Sequence, residues 1–226
     1  MRKMGQVRGF KLRGLEIGIM ENVIFMSRKK MVVSNERSWP PHLSKLKRGP
    51  AVVLPKDAGA IIAIAGIGKK SKVLDAGAGS GWLAVQLGNV ANEVISYENR
   101  EEFAKLAEQN VRRAGLENVQ VRMRNVLADG FDEKDADAVC LDFADSCKAL
   151  AFAYSSLKEG GAVVGYLPHA EQLNAFVKEG NAQGFSSWYC IEVIVREMLA
   201  REAGVRPANV GLMHTGYLAF GRKIKA

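Results

Sequence analysis

From residue 56 onward, short apolar runs trade places with stretches in which apolar residues recur every three or four positions, the two periods of strand and helix. Lys72 to Ala76, Val94 to Glu98, and residues 119–123, 136–142 and 161–167 read as buried strands. Helices are predicted from a capping Asp57 to Ala65, and over 81–90, 103–114, 146–157 and 169–179. In the third, Phe103, Leu106, Ala107, Asn110, Val111 and Ala114 make one apolar stripe, which Gly115 ends. Strand and helix repeating in this way build an α/β fold, a doubly wound parallel sheet with helices on both faces. At the tail the rhythm changes. Ser187 to Val195 and Gly211 to Phe220 read as two long strands, joined through Arg201 to Pro207 and paired antiparallel at one edge.

The beginning of the chain differs from the rest. Val23-Ile24-Phe25-Met26 and Met31-Val32-Val33, broken by Gly14, Gly18 and a basic turn, suit a small β unit, and Trp39-Pro40-Pro41 reads as the linker that follows. The predicted division is a β lobe over residues 1–45 and a main domain over 46–226. Charge sharpens this picture: residues 1–48 hold 12 Lys+Arg and 3 Asp+Glu, whereas the other 178 residues hold 20 and 21. The whole net charge of +8 is thus N-terminal, a one-sided basic footprint suited to a phosphate backbone or simply to a solvated face.

Composition narrows the class. With 226 residues, 48% of them hydrophobic, the chain can bury one ordinary α/β core. Its three cysteines, Cys140, Cys147 and Cys190, are an odd number without CxxC spacing, so neither a metal site nor a disulfide framework is expected, and a reducing cytoplasm is the default. Glu16 and Glu21 interrupt the apolar stretch from Leu15 to Met26, so no membrane span is expected.

Candidate chemistry clusters where predicted strands end. Val73-Leu74-Asp75-Ala76-Gly77-Ala78-Gly79-Ser80-Gly81 is a strand, a glycine turn and the opening of a helix, with spacing GxGxG rather than the GxGxxG of dinucleotide binders. Glu98 ends the next strand, where a carboxylate can accept from both hydroxyls of a ribose, and Asp142 ends the strand Ala138-Val139-Cys140-Leu141. Three sites thus fall on the carboxyl edge of one sheet. Together they resemble the class I S-adenosylmethionine-dependent methyltransferases, which implies a Rossmann-like, mostly parallel seven-stranded sheet.

Motifs outside that core narrow the resemblance. Lys47-Arg48-Gly49-Pro50-Ala51-Val52-Val53-Leu54-Pro55-Lys56-Asp57-Ala58, Ser96-Tyr97-Glu98-Asn99-Arg100, and Arg206-Pro207 followed by His214-Thr215-Gly216-Tyr217-Leu218 are similar to the signatures of the tRNA (adenine-N1)-methyltransferase family. The resemblance implies methyl transfer from S-adenosyl-L-methionine to N1 of a T-loop adenine of tRNA, at position 58 and in some members also 57, by a homotetramer. It further implies that Gly77, Gly79, Ser80, Gly81 and Trp82 border the cofactor, Glu98 its ribose, and Asn125 and Val126 its adenine. Asp142 and Tyr166 would be the catalytic pair that meets the target base, Asp142 also facing the cofactor.

The chain departs from the family pattern at Leu54, which stands for a tyrosine, and at Asp142-Phe143-Ala144-Asp145-Ser146, where a proline usually comes second after the aspartate. Read without the resemblance, Asp142 could equally cap a helix, and Tyr166 and Trp82 could simply pack. A non-catalytic tRNA-binding subunit of the same fold, or a methyltransferase for a small molecule or protein, are the alternatives.

Overall fold

The computed structural model describes residues 8–12, 15–20, 23–28, 39–49, 52–201, 204–209, 211 and 213–224. The chain divides into two units, Met1–Arg37 with Arg196–Gly211, and Ser38–Val195 with Leu212–Ala226.

The first unit contains an antiparallel sheet of β1 (Arg8–Leu12), β2 (Leu15–Met20) and β3 (Val23–Arg28), in that order. It also contains a hairpin of β10 (Met198–Arg201) and β11 (Gly204–Pro207), paired from Met198 opposite Pro207 to Arg201 opposite Gly204. The stretch 201–207, expected as a connection, is therefore largely strand. Met31-Val32-Val33 lies outside the described residues.

In the second unit a seven-stranded sheet is built from β4 (Lys72–Ala76), β5 (Glu93–Glu98), β6 (Val119–Met123), β7 (Ala136–Leu141), β8 (Leu157–Leu167), β9 (Phe185–Glu192) and β12 (Tyr217–Lys223). The strand order is β6-β5-β4-β7-β8-β12-β9. The first five pair in parallel, and β12 runs antiparallel between β8 and β9. The doubly wound α/β fold expected from the sequence is thus observed, with two corrections at the tail. The second tail strand starts at Tyr217 rather than Gly211, and it is inserted inside the sheet, leaving β9 at the edge.

The central strands are apolar on both sides because both faces are covered. Val73, Ala138, Cys140, Ala162, Val164, Leu218 and Phe220 point to one face, beneath α1 (Pro41–Ser44), α2 (Pro55–Ala65), α3 (Trp82–Gly88) and α4 (Glu101–Ala114). Leu74, Ala76, Val139, Leu141, Val163 and Ala219 point to the other, beneath α5 (Val126–Asp129), a 3-10 turn (Ser146–Ala149) continuing into α6 (Leu150–Ser156), and α7 (Ala170–Ala182). Trp39-Pro40-Pro41 is not a bare linker: Pro41 opens α1, and Trp39 meets Trp82 edge-on at 5.8 Å. Nor does Asp57 cap α2. Leu54 holds the cap position with Pro55 at the first helical place, where a missing N–H costs nothing, and Asp57 is buried within the first turn.

Candidate active site

The carboxyl ends of β4, β5 and β7 open into one cavity of about 520 Å³. Among its lining residues are Gly77, Gly79, Ser80, Trp82, Glu98 and Asp142, with Asn125 and Val126 closing one side and Phe143 to Asp145 at another. Gly81 and Tyr166 are not part of this lining.

Backbone closeness explains the glycine loop. Gly77 has φ +89°, and a Cβ there would collide with the main-chain oxygen of Asp142. The amides of Gly77 and Ala78 donate to the carbonyl of Tyr97 at 2.9 and 3.0 Å, which ties the loop to the end of β5. Gly81 does different work: at φ +75° its α-carbon packs on α4, where a Cβ would stand 3.0 Å from the Cα of Ala107. It brings helix to helix instead of facing the cavity.

Glu98 is held rigidly. Oε2 accepts from Gly79 N at 2.9 Å, and Oε1 accepts from the amides of Asn99 and Arg100, both at 3.1 Å. Each carboxylate oxygen has two acceptor sites, so Oε2 keeps one for a ligand. Beyond it, Asn125 caps α5, its Oδ1 accepting from Leu127 N at 3.1 Å. Arg124 lines the same side, with its guanidinium engaged by the carbonyls of Asp129 and Gly130 and by Asp132. Trp82 is buried, its Nε1 donating to Lys47 O at 3.2 Å. It therefore both packs and lines.

Beneath the loops lies a carboxyl cluster. Asp75 is buried under the cavity floor; Ser96 Oγ donates to its Oδ2 at 2.5 Å, while Oδ1 has no partner. Burial, aided by the charge of Glu98, pushes the Asp75 carboxyl up to about 6. Asp142 is partly exposed into the cavity but enclosed by protein; burial, with Asp75 and Glu98 nearby, pushes it up to about 7. The neighbouring negative charges that help raise Asp75 and Asp142 would be relieved by a cationic ligand. Sequence reasoning passed over Asp75, although its place in the strand before the glycine turn marks it.

Tyr166 stands beside Asp142 in the sheet, since Gly165 is the register partner of Leu141 on the neighbouring parallel strand. Its hydroxyl donates to the carbonyl of Thr215 at 3.0 Å. Burial, with the charges of Asp57 and Asp142, pushes it up to about 12, so it remains a phenol. The described residues contain no group of His, Cys, Asp and Glu side chains able to hold a metal ion.

Residues 43–215 match the family described as tRNA methyltransferase complex GCD14 subunit. The chain belongs to that family. It is 35% identical to the tRNA (adenine(57)-N(1)/adenine(58)-N(1))-methyltransferase TrmI of Methanocaldococcus jannaschii, over 80% of this chain and 74% of that one. To the tRNA (adenine(58)-N(1))-methyltransferase TrmI of Thermus thermophilus it is 33% identical, over 82% and 74%. The crystal structure of the tRNA (m1A58) methyltransferase TrmI from Aquifex aeolicus superposes with a TM-score of 0.77 at 26% identity, covering 100% of this chain and 92% of that one. The fold is that of the S-adenosylmethionine-dependent methyltransferases. The cavity fits that cofactor on its own evidence: a glycine loop that leaves room for close approach, a carboxylate at Glu98 held by three backbone amides with an acceptor site to spare, and further acidic groups suited to a cationic ligand.

Proposed function

We propose that this protein transfers a methyl group from S-adenosylmethionine to N1 of adenine 58 in the T-loop of tRNA, with adenine 57 a further target as in the Methanocaldococcus relative. The observation that carries the reading is the convergence of Glu98 and Asp142 on one cavity beside the glycine loop. Gly77, Gly79, Ser80 and Trp82 then border the methionine part, Glu98 the ribose, and Asn125 and Val126 the adenine. The cofactor supplies an electrophilic methyl group on a cationic sulfur.

Adenine N1 carries an in-plane lone pair, so the protein has to align the base more than deprotonate it. Asp142, in its ionised form, accepts a hydrogen bond from the exocyclic amine. As positive charge reaches the ring that bond strengthens, which stabilises the transition state more than the bound substrate. Tyr166, alongside Asp142, supplies a ring surface and limits where the base can sit. N1 lies on the pairing edge, so the base is extruded from its loop, and the basic lobe over residues 1–45 holds the tRNA meanwhile. We further assign a homotetrameric, cytoplasmic enzyme, on the family resemblance and the unpaired cysteines; no helix among the described residues is long and apolar enough to cross a membrane.

Incubation of the pure protein with methyl-labelled S-adenosylmethionine and unmodified tRNA tests the reading. Label is expected in tRNA; cofactor binding without label in tRNA would favour the non-catalytic subunit instead.

A further inference from the structure

Tyr166 is seated by segments remote from it in the chain. Besides the hydrogen bond from its hydroxyl to Thr215 O, its ring lies against Gly216, where an added Cβ would stand 3.1 Å from Cζ and 3.3 Å from both Cε atoms. The side chain of Thr215 is fixed in turn. Its Oγ1 donates to Asp57 Oδ2 at 2.9 Å and accepts from Lys56 Nζ at 2.6 Å. Lys56 Nζ also donates to Asp57 Oδ1 at 2.8 Å and to Val193 O at 2.6 Å, so all three ammonium donors are used. One residue earlier, His214 spans Glu192 at 2.6 Å and Pro168 O at 2.9 Å, clasping the segment between the ends of β8 and β9.

Stability alone is a poor explanation for this network. Asp57 is 0% exposed, and the desolvation of a buried ion pair offsets much of its attraction, so an apolar pair of similar volume would hold α2 to the sheet about as well. What a fully satisfied polar network adds is a single geometry. Here that geometry ends on the tyrosine next to Asp142.

We propose that Lys56, Asp57, Thr215 and Gly216 are positioning residues for methyl transfer, forming the seat that fixes Tyr166 beside Asp142 where the target base enters. The proposal rests on the reading of Asp142 and Tyr166 given above. Gly216 is outside the left-handed region, and the three atoms that an alanine Cβ there would meet first all belong to the Tyr166 ring.

The test measures kcat and KM for tRNA, and cofactor Kd, in the full chain carrying Gly216→Ala, Tyr166→Ala or both. Gly216→Ala is expected to lower kcat at least tenfold with cofactor Kd within twofold, and to lower it no further once Tyr166 is alanine. Unchanged kcat, or losses that multiply in the double variant, would overturn the seat. Full activity in Tyr166→Ala would remove the tyrosine reading and this proposal with it, whereas a slow Tyr166→Ala beside a normal Gly216→Ala removes the seat alone. Should Gly216→Ala not fold, Thr215 decides: Thr215→Val is expected to lose tenfold or more in kcat and Thr215→Ser to recover to within twofold of the natural protein. A Thr215→Val enzyme as fast as Thr215→Ser contradicts the proposal.

Discussion

The main-chain oxygen of Asp142 occupies the space beside the α-carbon of Gly77 that any side chain would need. The same two strand ends are joined by a hydrogen bond from Asp142 N to Ala76 O at 2.9 Å. The glycine loop and the loop that carries Asp142 are therefore closed on each other.

Alanine at Gly77 is expected to damage both. The obstacle is backbone and cannot rotate away, and φ +89° adds left-handed strain of about 1–3 kcal/mol. Calorimetric titration should find cofactor binding weakened more than tenfold, with a lowered Tm. An added Cβ at Gly79 meets only the Gly77 carbonyl at an ordinary 3.8 Å, so Gly79→Ala carries the left-handed strain of φ +53° without the collision and its binding loss should be the smaller of the two; the reverse order would contradict this account of the loop.

The rate should carry an acid limb. In the proposed mechanism Asp142 acts as a carboxylate, and its ionisation is pushed up to about 7, so activity is expected to rise with pH through that region and then level off. Positive charge in the cavity favours the carboxylate, so saturating cofactor should move the limb to lower pH. Asp142→Asn is expected to lose most of the rate and the limb together. An unaltered limb in that variant would assign it to another group.

Asp75 makes a stability prediction of the same kind. Its folded value of about 6 lies above the ordinary 3.8, so its contribution is fully present below about 4 and is lost as pH rises through 6. The loss is on the order of 3 kcal/mol. Asp75→Asn keeps an acceptor for Ser96 Oγ and removes the ionisation, so denaturant unfolding should show it gaining on the natural protein as pH goes from 4 to 8. A constant difference between the two across that range would show that the Asp75 carboxyl is not raised in the fold.

His214 should titrate high. Its hydrogen bonds to Glu192 and to the Pro168 carbonyl favour the protonated ring, so its contribution to stability is present below the ordinary histidine value and lost as pH rises through the raised one. NMR titration is expected to place its midpoint above that of a free histidine, and Glu192→Gln should bring it down. No change in Glu192→Gln would remove Glu192 as the cause.

What the sequence could reveal follows from how local each signal is. β4 and β5 were legible because strands buried between two helical layers are apolar runs that end at a glycine or an acid, as at Gly77 and Glu98. The site side chains at those ends were legible for the same reason. Asp57 was misread as a cap because its partner Thr215 lies 158 residues away, and a Lys-Asp pair next to a proline looks locally like any helix start. The insertion of β12 between β8 and β9 depends on pairing across the fold, which no window along the chain contains. α5 has four residues, too few for a period to show, and the start of α7 is closed by the Gln172 side chain, whose Oε1 accepts from His169 N at 3.2 Å.

The central claim is that Asp142 is needed for methylation of adenine N1 far more than for binding the methyl donor. The direct measurement is mass-spectrometric mapping of the modified nucleoside in tRNA treated with the natural protein and with Asp142→Ala, alongside cofactor Kd for both. The account predicts N1-methyladenosine at position 58, or at 57 and 58, from the natural protein, and cofactor Kd within a few-fold but almost no product from the variant. Methylation on another base, or an Asp142→Ala protein that works at full rate, would contradict it.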